Sequence, residues 1–169
     1  MKSLKSINPW LWVPTLYFLE GIPYFLVNNI SMVMFNQMGV PNGEMSFFTT
    51  LLYFPWALKF LWAPFVDLIK TKRWWFITMQ FLLLGLAVLT IFSIPQPDPA
   101  TIAAMGTEVK LFTGVLIAFI IMAFSSATHD IAADGFYMLA LTSGVQAEMI
   151  GWRSVFYRLS NVFCNSALI

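Results

Sequence analysis

Residues 111–141 read LFTGVLIAFIIMAFSSATHDIAADGFYMLAL, an apolar stretch whose first charged residue is Asp130. The stretch is longer than the roughly 20 apolar residues that a helix needs to cross the hydrocarbon core of a bilayer. Ser126, Asp130, Asp134 and Tyr137 recur at a spacing that places them on one face of a helix. The sequence therefore predicts a membrane-spanning helix with one polar face.

The same length criterion, applied outward from this stretch, predicts an all-α, polytopic transmembrane helical bundle. The predicted spans are 10–34, 45–66, 74–94, 111–141 and 149–169, which makes four complete spans and part of a fifth. The composition supports this prediction, because 59% of the 169 residues are hydrophobic and only 10% are charged. A soluble domain of this size could not bury so much apolar surface. The bilayer is thus the first expected partner.

Charge and cysteine content exclude several other classes. The formal net charge is +1, which favours no nucleic-acid partner. Cys164 is the only cysteine and His129 the only histidine, so we expect no internal disulfide, no metal site and no cofactor. The first apolar stretch contains Glu20 and lacks a small-residue cleavage site, so it is not a cleaved signal peptide.

The distribution of basic residues predicts the orientation in the membrane. Short cytoplasmic loops carry an excess of lysine and arginine. Such residues occur at the N-terminus and in the second and fourth predicted loops, as Lys2, Lys5, Lys70, Lys72, Arg73 and Arg153. The first and third predicted loops share only Lys110. We therefore expect a cytoplasmic N-terminus.

Polar residues also follow helical spacing within other predicted spans. In the first span they are Tyr17, Glu20, Tyr24, Asn28 and Ser31, and in the fifth they are Ser154, Arg158, Asn161 and Asn165. The second span contributes Lys59. Ionisable groups within the hydrocarbon are costly unless they are paired or face a wet cavity, so each is a functional hypothesis.

The rise of about 1.5 Å per helical residue predicts the depth of these charges. Glu20 and Lys59 fall at comparable depths, and Asp130 and Arg158 share a level if the chain turns between 142 and 149. Two acids and two bases would then form one balanced layer. His129, beside Asp130, could carry a proton or simply be hydrogen-bonded.

These residues have two interpretations. They could join helices structurally, or they could line a pathway for a polar solute and protons. The length of the polar stripes favours the pathway, whose predicted residues are Tyr17, Glu20, Tyr24, Asn28, Lys59, His129, Asp130, Asp134, Tyr137, Arg158 and Asn161. For Lys59 alone the alternatives are balanced, because a lysine stem can extend toward the headgroups.

Three segments resemble a known family. Residues 56–67, WALKFLWAPFVD, with Lys70, Lys72 and Arg73 behind them, resemble the end of the second helix and the following loop signature of the major facilitator superfamily. Residues 127–137, ATHDIAADGFY, are similar to the fourth-helix motif of its AmpG muropeptide permease and acetyl-coenzyme A transporter branch. Residues 151–158 are similar to the start of the fifth helix in that branch.

The resemblance implies the N-terminal part of a major facilitator fold, with helices one, two, four and five around a substrate cavity. It implies proton-coupled import of a polar solute such as a muropeptide, by alternating access across the inner (cytoplasmic) membrane. Asp67 and Arg73 would belong to the loop that controls the conformational change. The chain would therefore be a permease and not an enzyme.

The superfamily is built from two six-helix halves, and 169 residues fill less than one. We therefore expect a truncated or partial chain that is inactive without its C-terminal half. A noncatalytic membrane subunit or a sensor stays open as an alternative. An intramembrane enzyme is disfavoured, because Asp130 and Asp134 lie one turn apart on the same helix and there is a single histidine.

Overall fold

The computed structural model describes residues 8–37, 39–93 and 113–167, and all regular structure in these ranges is helical. The helices are α1 (Pro9–Phe25), α2 (Ser31–Gln37), α3 (Asn42–Leu58), α4 (Ala63–Leu68), α5 (Lys72–Ser93), α6 (Thr113–Ala140) and α7 (Ser143–Ala167). A π-helical turn, Leu26–Ile30, joins α1 to α2, and a 3-10 turn, Lys59–Leu61, follows α3. The predicted all-α class is confirmed.

Three helical segments are long and apolar enough to cross a membrane. They are Pro9–Gln37, Lys72–Phe92 and Gly114–Ala140, and they coincide with the first, third and fourth predicted spans. They indicate a multi-pass membrane protein. The second predicted span forms α3 and α4, which are interrupted by the 3-10 turn. The fifth forms α7, which begins at Ser143 and not near 149.

Prolines account for the interruptions in the first two predicted spans. Pro23 lies inside α1 and removes one backbone donor shortly before the π-helical turn. Pro64 occupies the first turn of α4, where a missing N–H costs little, but in a continuous helix it could not donate to the carbonyl of Phe60. The chain therefore breaks at the 3-10 turn, and Lys59 begins this turn instead of continuing the helix.

Helix α6 is the centre of the bundle, since it packs against α1, α3, α4 and α5. Helix α7 packs along α1. Buried apolar residues form one cluster around Phe35 and Phe119 and another around Val13 and Met149. The outer face of α5 exposes large apolar side chains, as expected for a helix that faces lipid.

Helices α1 and α7 approach each other closely at Gly21. A Cβ atom at this position would overlap the Ser160 Oγ and would lie 3.1 Å from the carbonyl oxygen of Tyr157. Small residues permit this kind of close backbone approach between membrane helices. The contact fixes α7 beside the polar face of α1.

Candidate functional site

A cleft of about 770 Å³ opens between α1, α6 and α7. We call it the polar cleft. Its lining residues are Tyr17, Glu20, Tyr24 and Phe25 from α1, Asp130 and Asp134 from α6, and Ile150, Arg153, Ser154, Tyr157 and Arg158 from α7. Each helix contributes residues at three- or four-residue spacing, which puts them on a single face. Part of each polar stripe predicted for three helices thus lines one cleft, namely Tyr17, Glu20 and Tyr24, Asp130 and Asp134, and Ser154 and Arg158.

One cluster in the cleft is centred on Asp134. Its Oδ1 accepts a hydrogen bond from the Tyr17 hydroxyl at 2.8 Å and pairs with Nη2 of Arg153 at 2.5 Å. The Arg153 guanidinium lies 4.2 Å from the ring centroid of Tyr17 and 4.4 Å from that of Tyr137. We call Tyr17, Asp134, Tyr137 and Arg153 the arginine clasp. It joins α1, α6 and α7, with one carboxylate for one cation.

A second cluster contains Glu20, Lys59 and Asp130, and we call it the carboxyl cluster. Lys59 Nζ forms an ion pair with Asp130 Oδ2. The carboxyl groups of Glu20 and Asp130 both line the polar cleft and lie close enough to interact electrostatically. Glu20 is only 6% exposed, and its Oε2 has no hydrogen-bond partner in the described part of the chain. The cluster therefore holds two carboxyl groups for one cation.

Arg158 differs from the other two cations near the cleft. It is exposed and lines the cleft, and it forms no ion pair with any residue in the described ranges. Aromatic rings also line the cleft: Tyr24 and Tyr157 have centroids 6.1 Å apart, and Phe25 and Tyr157 have centroids 5.3 Å apart. The cleft therefore combines a guanidinium that has no ion pair among the described residues with aromatic ring surface.

Asn161 belongs to an amide cluster with Asn29 and Asn165. The Nδ2 of Asn29 donates to Oδ1 of Asn161 at 3.1 Å and to Oδ1 of Asn165 at 3.4 Å. Asn28, the predicted residue, instead donates to the Tyr24 carbonyl in its own helix at 2.9 Å. The π-helical turn explains the exchange, since i to i+5 bonding inserts an extra residue and shifts the face that follows.

His129 is 1% exposed and stacks on Phe76 of α5, with ring centroids 4.7 Å apart. It is not among the residues that line the polar cleft. Neither ring nitrogen has a hydrogen-bond partner among the residues that the structure describes. The structure thus places His129 in the contact between α5 and α6, away from the predicted pathway.

The predicted gating residues lie at the loop between α4 and α5. Asp67 forms an ion pair with Lys72, whereas Arg73 is exposed. The Lys72 side chain crosses α6 at Gly135, where an added Cβ atom would lie 2.7 Å from Lys72 Cε. The loop is therefore tied to α6 through Lys72.

The sequence placed Arg153 in a cytoplasmic loop and did not identify it as a site residue. Because α7 begins at Ser143, Arg153 lies ten residues inside the helix and faces the cleft. Its spacing of four residues from Tyr157, which puts the two side chains on one helix face, was the available signal. Within residues 8–37, 39–93 and 113–167, no group of three His, Cys, Asp or Glu side chains is arranged to hold a metal ion.

The chain is similar to part of a larger bacterial protein. It is 30% identical over 125 residues to a protein of Haemophilus influenzae strain Rd that is described as uncharacterized, and the match covers 70% of this chain. The matched region is 26% of that protein, so the chain spans about a quarter of its relative. No protein-family model matches the chain. No solved structure matches it either. The similarity is therefore distant and partial, and it assigns no family.

Proposed function

We propose that these residues form part of the N-terminal half of a secondary active transporter of the major facilitator type. In this proposal α3–α4 and α7 also enter the membrane, as the second and fifth spans, and the N-terminus is cytoplasmic. The transporter imports a polar solute such as a muropeptide together with protons, by alternating access across the cytoplasmic membrane. Its other half supplies the opposite wall of the cavity.

The observation that carries this proposal is the polar cleft, which α7 shares with two helices, α1 and α6, that are apolar enough to span a bilayer. Ionisable groups persist at such depth when they pair or when they line a wet pathway. Pairing accounts for Asp134 with Arg153 and for Asp130 with Lys59. It does not account for the free oxygen of Glu20 or for Arg158. A solute pathway explains both.

The helix breaks support the same function. Secondary transporters bind substrate and coupling ion near the membrane midplane, at helices that are interrupted. Here the π-helical turn follows Tyr24 in α1, and the 3-10 turn begins at Lys59. Both interruptions adjoin residues of the cleft or of the carboxyl cluster.

The test is uptake by proteoliposomes that contain the complete product of the reading frame encoding residues 1–169. We expect a radiolabelled disaccharide-peptide to accumulate when the outside is acidic and to leak when the proton gradient is collapsed. Asp130→Asn should lower proton-driven uptake at least tenfold, about 1.4 kcal/mol. The matched control is Glu148→Gln, which removes an exposed carboxylate outside the cleft.

Two results would contradict the proposal. Wild-type uptake by Asp130→Asn would remove Asp130 from proton coupling. Binding of the solute without flux, in the wild-type protein, would instead favour a sensor or a noncatalytic membrane subunit.

A further inference from the structure

The titratable and charged groups around Glu20 and its neighbours can be counted element by element. The cleft is lined by Tyr17 and Tyr24 of α1, by Asp130 and Asp134 of α6, and by Arg153, Tyr157 and Arg158 of α7. Lys59 pairs with Asp130, Tyr53 lies near Tyr24 and Tyr157, and His129 lies beside Asp130 but outside the cleft. Three of these groups are carboxyls, and three are cationic side chains. The carboxyls are those of Glu20, Asp130 and Asp134, and the cations are Lys59, Arg153 and Arg158. With every carboxyl ionised and His129 neutral, the net charge is zero.

Glu20 and Asp130 cannot both stay ionised at low cost. Two neighbouring carboxylates in one cleft repel each other, and the uptake of one proton relieves this repulsion. Asp130 already has the Lys59 ammonium as its counter-ion. Glu20 has no cation of its own and is nearly fully buried, so the proton forms its O–H bond on Glu20. The protonated cleft then carries a net charge of plus one.

That surplus charge has a definite location. Lys59 is paired with Asp130, and Arg153 is paired with Asp134 and enclosed by two tyrosine rings. Arg158 lines the cleft with no ion pair in the described part of the chain. A guanidinium binds carboxylates through two parallel hydrogen bonds and packs its plane against aromatic rings. Tyr24 and Tyr157 line the same cleft and supply ring surface there.

We propose that the polar cleft binds one proton on the Glu20–Asp130 carboxyl pair and one organic monoanion at Arg158, and that each raises the affinity for the other. The empty cleft and the doubly loaded cleft are both neutral. Either singly loaded state carries an unbalanced charge in a site of low dielectric constant, which is costly. Such coupling gives electroneutral symport of a proton with an anion. This inference rests on the proposed function for the transport step, but its binding step can be tested separately.

The binding test uses the complete gene product in lipid nanodiscs and two matched probes. N-acetyl-tyrosinate carries a carboxylate, whereas N-acetyl-tyrosinamide has the same ring without the charge. Calorimetry should show tighter binding of the carboxylate as pH falls, with a slope that approaches tenfold per pH unit when one proton accompanies each anion. A pH dye in weak buffer should record proton uptake on addition of the carboxylate and none on addition of the amide.

Substitutions separate the two partners of this coupling. Arg158→Gln should lower carboxylate affinity at least tenfold, about 1.4 kcal/mol, and leave amide affinity unchanged. Arg158→Lys should restore part of the loss. Glu20→Gln mimics the protonated state, so it should bind the carboxylate tightly at every pH, without proton uptake. A misfolded variant could not produce that gain.

The matched controls are Lys70→Gln and Glu148→Gln, which remove one exposed cation and one exposed carboxylate outside the cleft. Both should bind as the wild type does. The proposal is overturned if the wild type fails to bind N-acetyl-tyrosinate or binds it equally at all pH values. It is also overturned if Arg158→Gln keeps full affinity.

The transport hypothesis can fail independently. Proton-linked anion binding without flux would contradict the transporter and leave this inference standing. Proton-driven flux of a solute that carries no negative charge, at the same rate in wild type and Arg158→Gln, would support the transporter and contradict this inference.

Discussion

The arginine clasp and the carboxyl cluster adjoin the same cleft and each combine carboxyl groups with one cation, yet they differ in charge balance. In the arginine clasp, one carboxylate faces one guanidinium, and two tyrosines complete the contacts. In the carboxyl cluster, two carboxyls face one ammonium group, and Oε2 of Glu20 lacks a partner among the described residues. A satisfied cluster holds helices together.

The unsatisfied cluster can instead exchange protons at little structural cost. Its second carboxyl has no fixed counter-ion, so a change in its protonation breaks no ion pair. The comparison teaches that pairing, and not depth alone, separates structural charges from exchangeable ones. Arg153→Gln and Lys59→Met test this distinction directly, and Gly21→Ala and Asn29→Ala measure uncharged contacts between the same helices for comparison. Arg153→Gln should have the largest effect on the free energy of unfolding.

Arg153→Gln should destabilise the protein most, because it leaves Asp134 without its cation and removes contacts to two tyrosine rings. Breaking a buried pair costs about 3–5 kcal/mol. The Arg153 and Asp134 side chains are 26% and 35% exposed, so solvent screening reduces the expected loss. We therefore expect about 2–3 kcal/mol. Reversible unfolding in detergent–lipid micelles measures the change.

Arg153→Lys is the control for charge alone. It keeps the cation but loses the planar contact with Tyr17 and Tyr137, so it should recover part of the loss. If Arg153→Gln costs less than about 0.5 kcal/mol, as surface substitutions do, the clasp has no structural role.

Gly21→Ala should have the second-largest effect on the free energy of unfolding, because the new methyl group would overlap the Ser160 Oγ and separate α1 from α7. Overpacking of this kind costs about 1–3 kcal/mol. Gly151→Ala is the matched control in α7, where a Cβ meets no atom within 4 Å. It should stabilise the helix by about 0.5–1 kcal/mol. Equal effects of the two substitutions on the free energy of unfolding would contradict the close approach.

Lys59→Met should lower the free energy of unfolding by only about 1 kcal/mol, although it also removes the cation that pairs with an aspartate. The carboxyl pair can compensate by taking up another proton. Removing the ammonium favours proton binding in the folded state, so the deficit relative to wild type should shrink as pH falls. Unfolding measured at several pH values checks the trend. A deficit that is large and constant with pH would show that this cluster resembles the clasp.

Asn29→Ala should have the smallest effect, about 0.6 kcal/mol, which is the average for hydrogen bonds between membrane helices. It removes the amide bridge from the π-helical turn to Asn161 and Asn165. Asn28→Ala is the comparison, because that side chain bonds only within its own helix. A larger effect at Asn28 would contradict the shifted register.

The spacing of apolar and polar residues in the sequence was sufficient to predict much of this architecture. It predicted the all-α class and three spans that the structure confirms. Helical spacing also brought Tyr17, Glu20, Asp130 and Asp134 to one cleft. These predictions succeed because the spacing of polar residues on an uninterrupted helix determines which of them share a face.

The remaining differences arise where the helices depart from regular geometry. The π-helical turn replaced Asn28 with Asn29 in the interhelical contact. The early start of α7 put Arg153 beside Asp134. The depth estimate had predicted one layer of Glu20, Asp130, Lys59 and Arg158, without Arg153 or Asp134. Pairing in three dimensions depends on rotation between neighbouring helices. That rotation is set by packing, and a single sequence does not record it.

Gly135 gives one of these helices an influence beyond its own contacts. Lys72 reaches Asp67 across the backbone at this position, where a Cβ atom would lie 2.7 Å from Lys72 Cε and 3.1 Å from Nζ. The absence of a side chain at Gly135 leaves room for the Lys72 stem to pass over α6. A larger residue there would displace the flexible end of Lys72, so an uncharged substitution in α6 would alter the position of a charge that pairs with Asp67 in the loop between α4 and α5.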